Sequence, residues 1–331
     1  MLEATAFWID GPGVGALRTQ PLDAPGDGEV LVRTRHTGVS RGTESSVFLG
    51  RVPRSEHQRM RAPFQEGDFP APVKYGYLNV GVVERGPDAL VGRTVFTLFP
   101  HQSAFVVPAD AVLPVPEGVP ARRAVLAGAV ETGVNVLWDA APLIGDRVTV
   151  VGAGMIGCCV ARLLSDIPQG EVTLVDIDPA KRQIAERLGV RFAEPDAAPR
   201  DRDIVIDASG SASGLQLALQ TVATEGEVIE ASWFGDAPVP VTLGADFHSR
   251  RLTIRSSQVG MVPQRRRGTR TTKDRLALAL RLLRDPAFDA LLSARSSWRE
   301  LPAVMAALAR GAATADGVPV LCHTIDWEDE A

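Results

Sequence analysis

The chain has 331 residues, 45% of them hydrophobic and 23% charged, a balance that suits a soluble globular protein of about two domains with a sizeable core. Its net charge of -5 offers no global attraction to nucleic acid or to an anionic membrane, and no apolar run reaches the ~18 residues of a membrane span. The N-terminal stretch MLEATAFWIDGPGVGALRTQ lacks a basic region followed by an apolar one, so no secretory signal is expected and the expected address is the cytoplasm. Cys158, Cys159 and Cys322, two of them adjacent, form neither a disulfide framework nor a spaced zinc cluster.

In chain order, the first hundred or so residues hold short β-type runs, EVLVRT, VGVVE, RTVFTLF and SAFVVP, punctuated by Gly, Pro and Asp. They predict an all-β, barrel-like module. At PVPEGVPARRAVLAGAVETGVNVLWDAAPL the apolar period becomes helical, which predicts a hinge helix between domains. Strands then alternate with helices: RVTVVGAG, a helix from Ile156, EVTLVDID, a helix through Leu188, DIVIDASG, a helix through Thr221, GEVIEASW and RLTIRSSQVG. That alternation predicts a parallel sheet covered on both faces. KDRLALALRLLRD and LPAVMAALARG predict amphipathic helices, and GVPVLCHTI a closing strand. No internal repeat or low-complexity tract is present.

VVGAGMIG followed by LVDIDPAKR is the strongest signal. Gly152, Gly154 and Gly157 form G-x-G-x-x-G where an apolar strand passes into a helix, so that Met155 and Ile156 open that helix. Glycine suits these places because the chain turns sharply, a pyrophosphate approaches the backbone, and helix packs closely on strand; the free N–H groups of the helix then face the anion. Asp176 ends the next strand 19 residues after Gly157 (176 minus 157), placed to accept from an adenosine ribose and to repel a 2′-phosphate. NAD is therefore the expected cofactor, with NADP kept as the second choice by Lys181 and Arg182 just downstream. The plainer alternative is a Gly-rich turn with a helix-capping acid.

The order of β module, hinge helix and dinucleotide domain, with GDGEVLVRTRHTGVSRGTES, KYGYLNVGVVE, GDRVTVVGAGMIG and LPAVMAALARG, resembles the medium-chain dehydrogenase/reductase superfamily over nearly the whole chain. GVSRGTESSVFLGRVP, VKYGY, PHQ and SRRLTIRSSQVG resemble more narrowly the branch containing bacteriochlorophyllide hydroxyethyl dehydrogenase. The resemblance implies an α/β protein, a Rossmann doubly wound sheet plus a GroES-like β-barrel catalytic domain. Residues 1–132 would be the catalytic domain with its hinge helix, 133–261 the dinucleotide domain, and 262–331 a return to the catalytic domain. It also implies a homodimer acting on a small alcohol or ketone.

Zinc-dependent members use the metal as a Lewis acid. Matched onto this chain, the cysteine ligand falls at Ser40 or Arg41, the histidine at Tyr77 with the next glutamate at Leu78, and the third ligand at Glu131. The four-cysteine structural lobe is missing, only PHQS joining two strands. Neutral hydroxyls are poor zinc ligands, so zinc is not expected; a rebuilt metal site would use Glu131 and His101. Without metal, Ser40 and Tyr77 would handle the substrate oxygen and its proton, with Glu44, His101 and Glu131 as relays. His101 is the one whose ordinary pKa lies near neutrality. Glu131 stands on an apolar helix and needs a partner, for which Arg41 is a candidate. Structural readings stay open beside each: a loop histidine, a solvated Glu44, a packed Tyr77.

In the dinucleotide domain, DASGSASG with Ser209 and Gly210, SWFGD with Trp233, and SSQVG with Gln258 end strands on the ligand side of an open α/β sheet. By the resemblance they line the adenine and nicotinamide pockets; ordinary turn chemistry is the alternative. Arg265, Arg266 and Arg267 could receive an anionic substrate group, although most charge runs are solvated. Cys158 and Cys159 are read as small core residues. Three functions fit: an NAD-dependent dehydrogenase of a secondary alcohol, a zinc-independent NADPH quinone or enone reductase, and a non-catalytic dinucleotide-binding protein.

Overall fold

The computed structural model describes residues 2–168, 171–311, 314–315 and 318–328. They form two compact units, one of the residues up to Gly128 together with those from Leu292 onward, the other Ala129–Leu291.

The first unit is built on the strand Glu29–Ser40. Its early residues pair antiparallel with Ala104–Pro108, its late ones with Cys322–Asp326, and its other edge with Asn79–Arg85. One strand changing partners along its length is how a sheet curls toward a barrel. Val30, Val32, Val83, Val95, Phe99, Phe105 and Val107 fill one core, with Phe99 stacked on Phe105 at 3.9 Å between ring centroids. Gly81 permits close pairing, since a Cβ there would lie 2.4 Å from the Arg33 carbonyl oxygen. A second sheet joins the hairpin Leu2–Gly11 and Val14–Leu22 to the short strands Val73–Lys74 and Glu66–Gly67.

The second unit has a six-stranded parallel sheet in the spatial order Arg191–Ala193, Glu171–Val175, Arg147–Val151, Arg202–Asp207, Val222–Glu230, Thr253–Ser256. The chain starts in the middle, moves outward, and then returns to the other side, so the order reverses between Arg147–Val151 and Arg202–Asp207. This is the doubly wound arrangement, with its ligand crevice at the reversal. The helix Met155–Ser165 buries Cys158, Cys159, Val160, Leu163 and Leu164. Burial pushes the Cys158 thiol up to about 12, so it packs as a small apolar side chain.

Several bounds differ from the sequence reading. The long helical stretch is two helices, Ala121–Ala124 and Ala127–Ala140, and the unit border at Gly128 falls just inside the second rather than at residue 132. Residues 262–291, read as the start of a C-terminal return, belong to the parallel-sheet unit. The helix Thr272–Leu282 buries Leu276, Ala279 and Leu280, Phe288 and Leu291 are buried in the turn after it, and Asp285 pairs with Arg162 at 2.5 Å. The return begins with Leu292–Ser297, which pairs with Cys322–Asp326. The closing strand covers the CHTI part of GVPVLCHTI, and Gly317 lies outside the described residues. Among the described residues, no helix is long and apolar enough to cross a membrane.

Candidate functional site

Within the β unit, Ser40, Glu44, Tyr77 and His101 come together. Ser40 ends the central strand and precedes the helix Arg41–Phe48, but its hydroxyl makes no capping bond to that helix. Glu44, one turn in, reaches back instead, and its Oε1 accepts from the Ser40 backbone N–H at 2.8 Å. Glu44 Oε2 lies 2.7 Å from His101 Nε2, and both side chains are almost fully buried. On the other side of the ring, His101 Nδ1 lies 2.7 Å from the Thr37 hydroxyl, which also accepts from the Trp327 indole N–H at 3.0 Å. With a carboxylate at Nε2, a neutral His101 carries its proton there and Nδ1 accepts from Thr37.

Tyr77 keeps partial surface exposure, yet its phenol oxygen is enclosed. Burial first, and then the Glu44 charge, push its pKa up to about 12, against hydrogen bonds with the Ser40 and Thr43 side chains that pull it down. Its ring meets Tyr75 edge-on at 6.0 Å. Gly76 lets the chain pass His101, because a Cβ there would lie 2.9 Å from the imidazole Cδ2. Arg41 is exposed.

Glu131 is the exception among the proton-handling candidates. It belongs to the parallel-sheet unit, where Arg275 donates to its Oε1 from Nε at 3.1 Å. Burial lifts its pKa and Arg275 works against that. Its partner is therefore Arg275 and not Arg41. In the β unit the hinge helix contributes Gly128, whose Cβ position would lie 3.8 Å from the Tyr77 ring.

Four further participants carried only faint sequence signals. Thr37 lies in the same strand as Ser40, Trp327 and Cys322 come from the far end of the chain, and Lys74 precedes the YGY turn. Lys74 is fully buried, bonded to Glu66 and to the Gln102 side-chain oxygen, and burial lowers its pKa.

In the parallel-sheet unit the glycine turn has the close contacts that demand glycine. Gly152 sits at φ +99°, and a Cβ on Gly157 would lie 1.8 Å from the Gly152 carbonyl oxygen. Around Gly154, before Met155 and Ile156, there is open space. Asp176 Oδ2 accepts from the Ala153 N–H at 2.7 Å and Oδ1 from the Asp178 N–H at 2.9 Å, so the acid ties its own turn to the glycine turn. A carboxylate retains further lone pairs for a ligand. Lys181 is buried and points inward, donating to the Ala153 carbonyl at 3.1 Å. Arg182 lies over the Phe192 ring at 4.8 Å and lines an open depression of about 700 Å³ with Ile177 and Glu194.

No family model matches the chain. Over 276 residues it is 27% identical to the 2-desacetyl-2-hydroxyethyl bacteriochlorophyllide A dehydrogenase of Cereibacter sphaeroides, spanning 76% of this chain and 81% of that protein. Among solved structures, an alcohol dehydrogenase of Escherichia coli CFT073 complexed with NADH superposes with a TM-score of 0.76 at 16% identity, over 98% of this chain and 99% of the other. A zinc-binding dehydrogenase of Sinorhizobium meliloti bound to NADP gives 0.76 at 16% identity, over 98% and 100%. The chain is thus similar in sequence to a dehydrogenase and shares the fold of the two solved ones.

The two solved neighbours hold different coenzymes, so the fold alone does not choose between NAD and NADP. Asp207 and Glu230 stand opposite each other in register at the ends of adjacent strands. Asp207 accepts from the Ser209 N–H at 3.0 Å and Glu230 from the Ser232 N–H at 2.6 Å, while Ser232 Oγ accepts from the Gly210 N–H at 3.0 Å. Burial raises both acids, and the Asp207 charge helps push Glu230 to about 8, so that protonation of Glu230 is favoured at neutral pH. Trp233 follows in the same loop, partly exposed; Gln258 is exposed and accepts from the Gly260 N–H at 2.7 Å. Arg265, Arg266 and Arg267 form a short helix with no buried residue.

Proposed function

We propose that this chain is an NAD-dependent oxidoreductase that transfers a hydride between nicotinamide and a small secondary alcohol or its ketone, without a catalytic zinc. The observation that carries the reading is the glycine turn: Gly152 and Gly157 leave no room for a side chain, Gly154 opens to solvent, and Asp176 closes the turn through Ala153. That is a cradle for a pyrophosphate beside an acid for a ribose diol. The inward Lys181 supports NAD over NADP, because its ammonium already serves the Ala153 carbonyl. The homodimer is carried over from the family resemblance alone, and the cytoplasmic address from the sequence reading of the N-terminal stretch alone.

The donor chemistry of the Tyr77 cluster does not suit zinc. Ser40 and Tyr77 offer hydroxyls, the phenol with a pKa of about 12, and burial also pushes the Cys322 thiol up to about 12. Glu44 and His101 already satisfy each other. Among the described residues no group of three His, Cys, Asp or Glu side chains is placed to hold a metal. When bound, nicotinamide supplies or accepts the hydride. Tyr77, protonated at neutral pH, donates to the substrate oxygen and holds it; Ser40 and Thr43 orient the phenol. Glu44 and His101, hydrogen-bonded to each other and fixed by Thr37 and Trp327, are the relay through which the proton would leave or reach that oxygen.

The test is a pair of titrations with NADH and NADPH on protein purified without chelator, together with its zinc content. Tighter NADH binding, a preference relaxed in Asp176→Ala, and well under one zinc per chain are expected. A preference for NADPH would move the reading to a quinone or enone reductase, and one tightly held zinc would overturn the metal-free mechanism.

A further inference from the structure

The hinge helix Ala127–Ala140 carries Glu131, Asn135 and Asp139 at a spacing of four, one polar stripe on a helix whose other residues, Thr132 apart, are apolar. Asn135 and Asp139 bond directly to the loop that follows the last strand, Thr253–Ser256, and Glu131 pairs with Arg275. Asn135 Nδ2 donates to Ser257 Oγ at 3.1 Å and to the Gln258 carbonyl at 3.3 Å. Asp139 Oδ2 accepts from Ser257 Oγ at 2.6 Å, and Arg255 donates to the Asp139 carbonyl at 3.0 Å.

Arg275, from the helix Thr272–Leu282, completes the arrangement from the other side. It is 1% exposed, and Nε, Nη1 and Nη2 all face acceptors. Nε meets Glu131 Oε1, Nη1 meets Asn135 Oδ1 and, at 3.4 Å, the Met261 carbonyl, and Nη2 donates to the Val259 carbonyl at 2.5 Å. A buried guanidinium is costly without an anion, which Glu131 supplies. Besides Glu131 and Asn135, the groups it holds are the Val259 and Met261 backbone carbonyls of the loop after the last strand.

In a doubly wound sheet each half of a dinucleotide lies over one set of three strands. Asp176 marks the adenosine half, so the other half, ending in nicotinamide, lies over Arg202–Asp207, Val222–Glu230 and Thr253–Ser256. The loop Ser257–Met261 is at the end of the last of these. We infer that Arg275, with Glu131 and Asn135, is a positioning residue that locks the Ser257–Met261 loop in the shape that holds the nicotinamide end of the coenzyme. This rests on the dinucleotide reading above and assigns Glu131 a role other than proton relay.

Arg275→Lys keeps the charge opposite Glu131 but cannot span Asn135, Val259 and Met261 together, since an ammonium lacks the planar fork. Binding of NADH is compared with binding of ADP-ribose, which has no nicotinamide ring. NADH should weaken about tenfold, the scale of one lost charge-assisted hydrogen bond, while ADP-ribose changes less than about twofold. If Arg275→Lys does not fold, the double variant Glu131→Gln, Arg275→Met removes both charges together and should show the same split. Equal weakening of both ligands, or no change in either, would overturn the positioning role while leaving the coenzyme reading intact. A wild-type protein that binds neither ligand would instead overturn the proposed function, and this inference with it.

Discussion

Tyr77 is a phenol on which burial and the Glu44 charge act in the same direction, so it stays protonated at neutral pH, as the donor role proposed for it requires. Replacing it by Phe removes that donor and leaves the parallel-sheet unit untouched. Turnover in Tyr77→Phe should fall about 10²-fold or more with NADH affinity unchanged; steady-state rates alongside coenzyme titration check this, and unaltered turnover would remove Tyr77 from the mechanism. At this scale the sequence was legible for Ser40, Glu44, Tyr77 and His101, because each sits in a short stretch with a recognisable neighbour. It was not legible for Thr37 and Trp327, whose link to His101 spans nearly the whole chain. Glu131 was legible as a carboxylate in need of a partner, but the partner lies 144 residues away and no local pattern points to Arg275.

Asp207 and Glu230 interact because parallel neighbours Arg202–Asp207 and Val222–Glu230 end in the same register. Glu230 is raised from 4.5 to about 8 by burial and by the Asp207 charge. Between those values the folded chain binds more protons than the unfolded one, so stability should fall as pH rises through that window and level off above about 8. Glu230→Gln removes this ionisation and should flatten the dependence. Urea midpoints at acid, neutral and mildly alkaline pH would show it, and parallel curves for the two proteins would refute the protonation of Glu230. The strands themselves were readable from apolar runs and glycine punctuation. The split of the hinge stretch was not, because Val125 and Leu126 continue the apolar pattern across the break and are fully buried.

Cys158, Cys159 and Cys322 are all fully buried and none is in a disulfide, the first two lying in one unit and the third in the other. Less than about 0.1 thiol per native chain should react with an aromatic disulfide reagent, and all three Cys158, Cys159 and Cys322 after denaturation. Fast reaction of one thiol under native conditions would mean that its unit opens locally. Both units were visible in the sequence, since strand spacing in one and strand–helix alternation in the other follow from local periodicity. Their borders were not: residues 262–291 look like any amphipathic helix and turn, and only the burial of Leu276, Phe288 and Leu291 decides which sheet they cover. By itself the sequence determined the glycine turn, its acid and the class of fold, because these depend on residues close in the chain and on steric limits that only glycine meets. The tertiary structure alone decided that Glu44 faces His101, that Glu131 faces Arg275 and that Asp207 faces Glu230, because each pairing is set by the long-range packing that brings distant charges into one buried space.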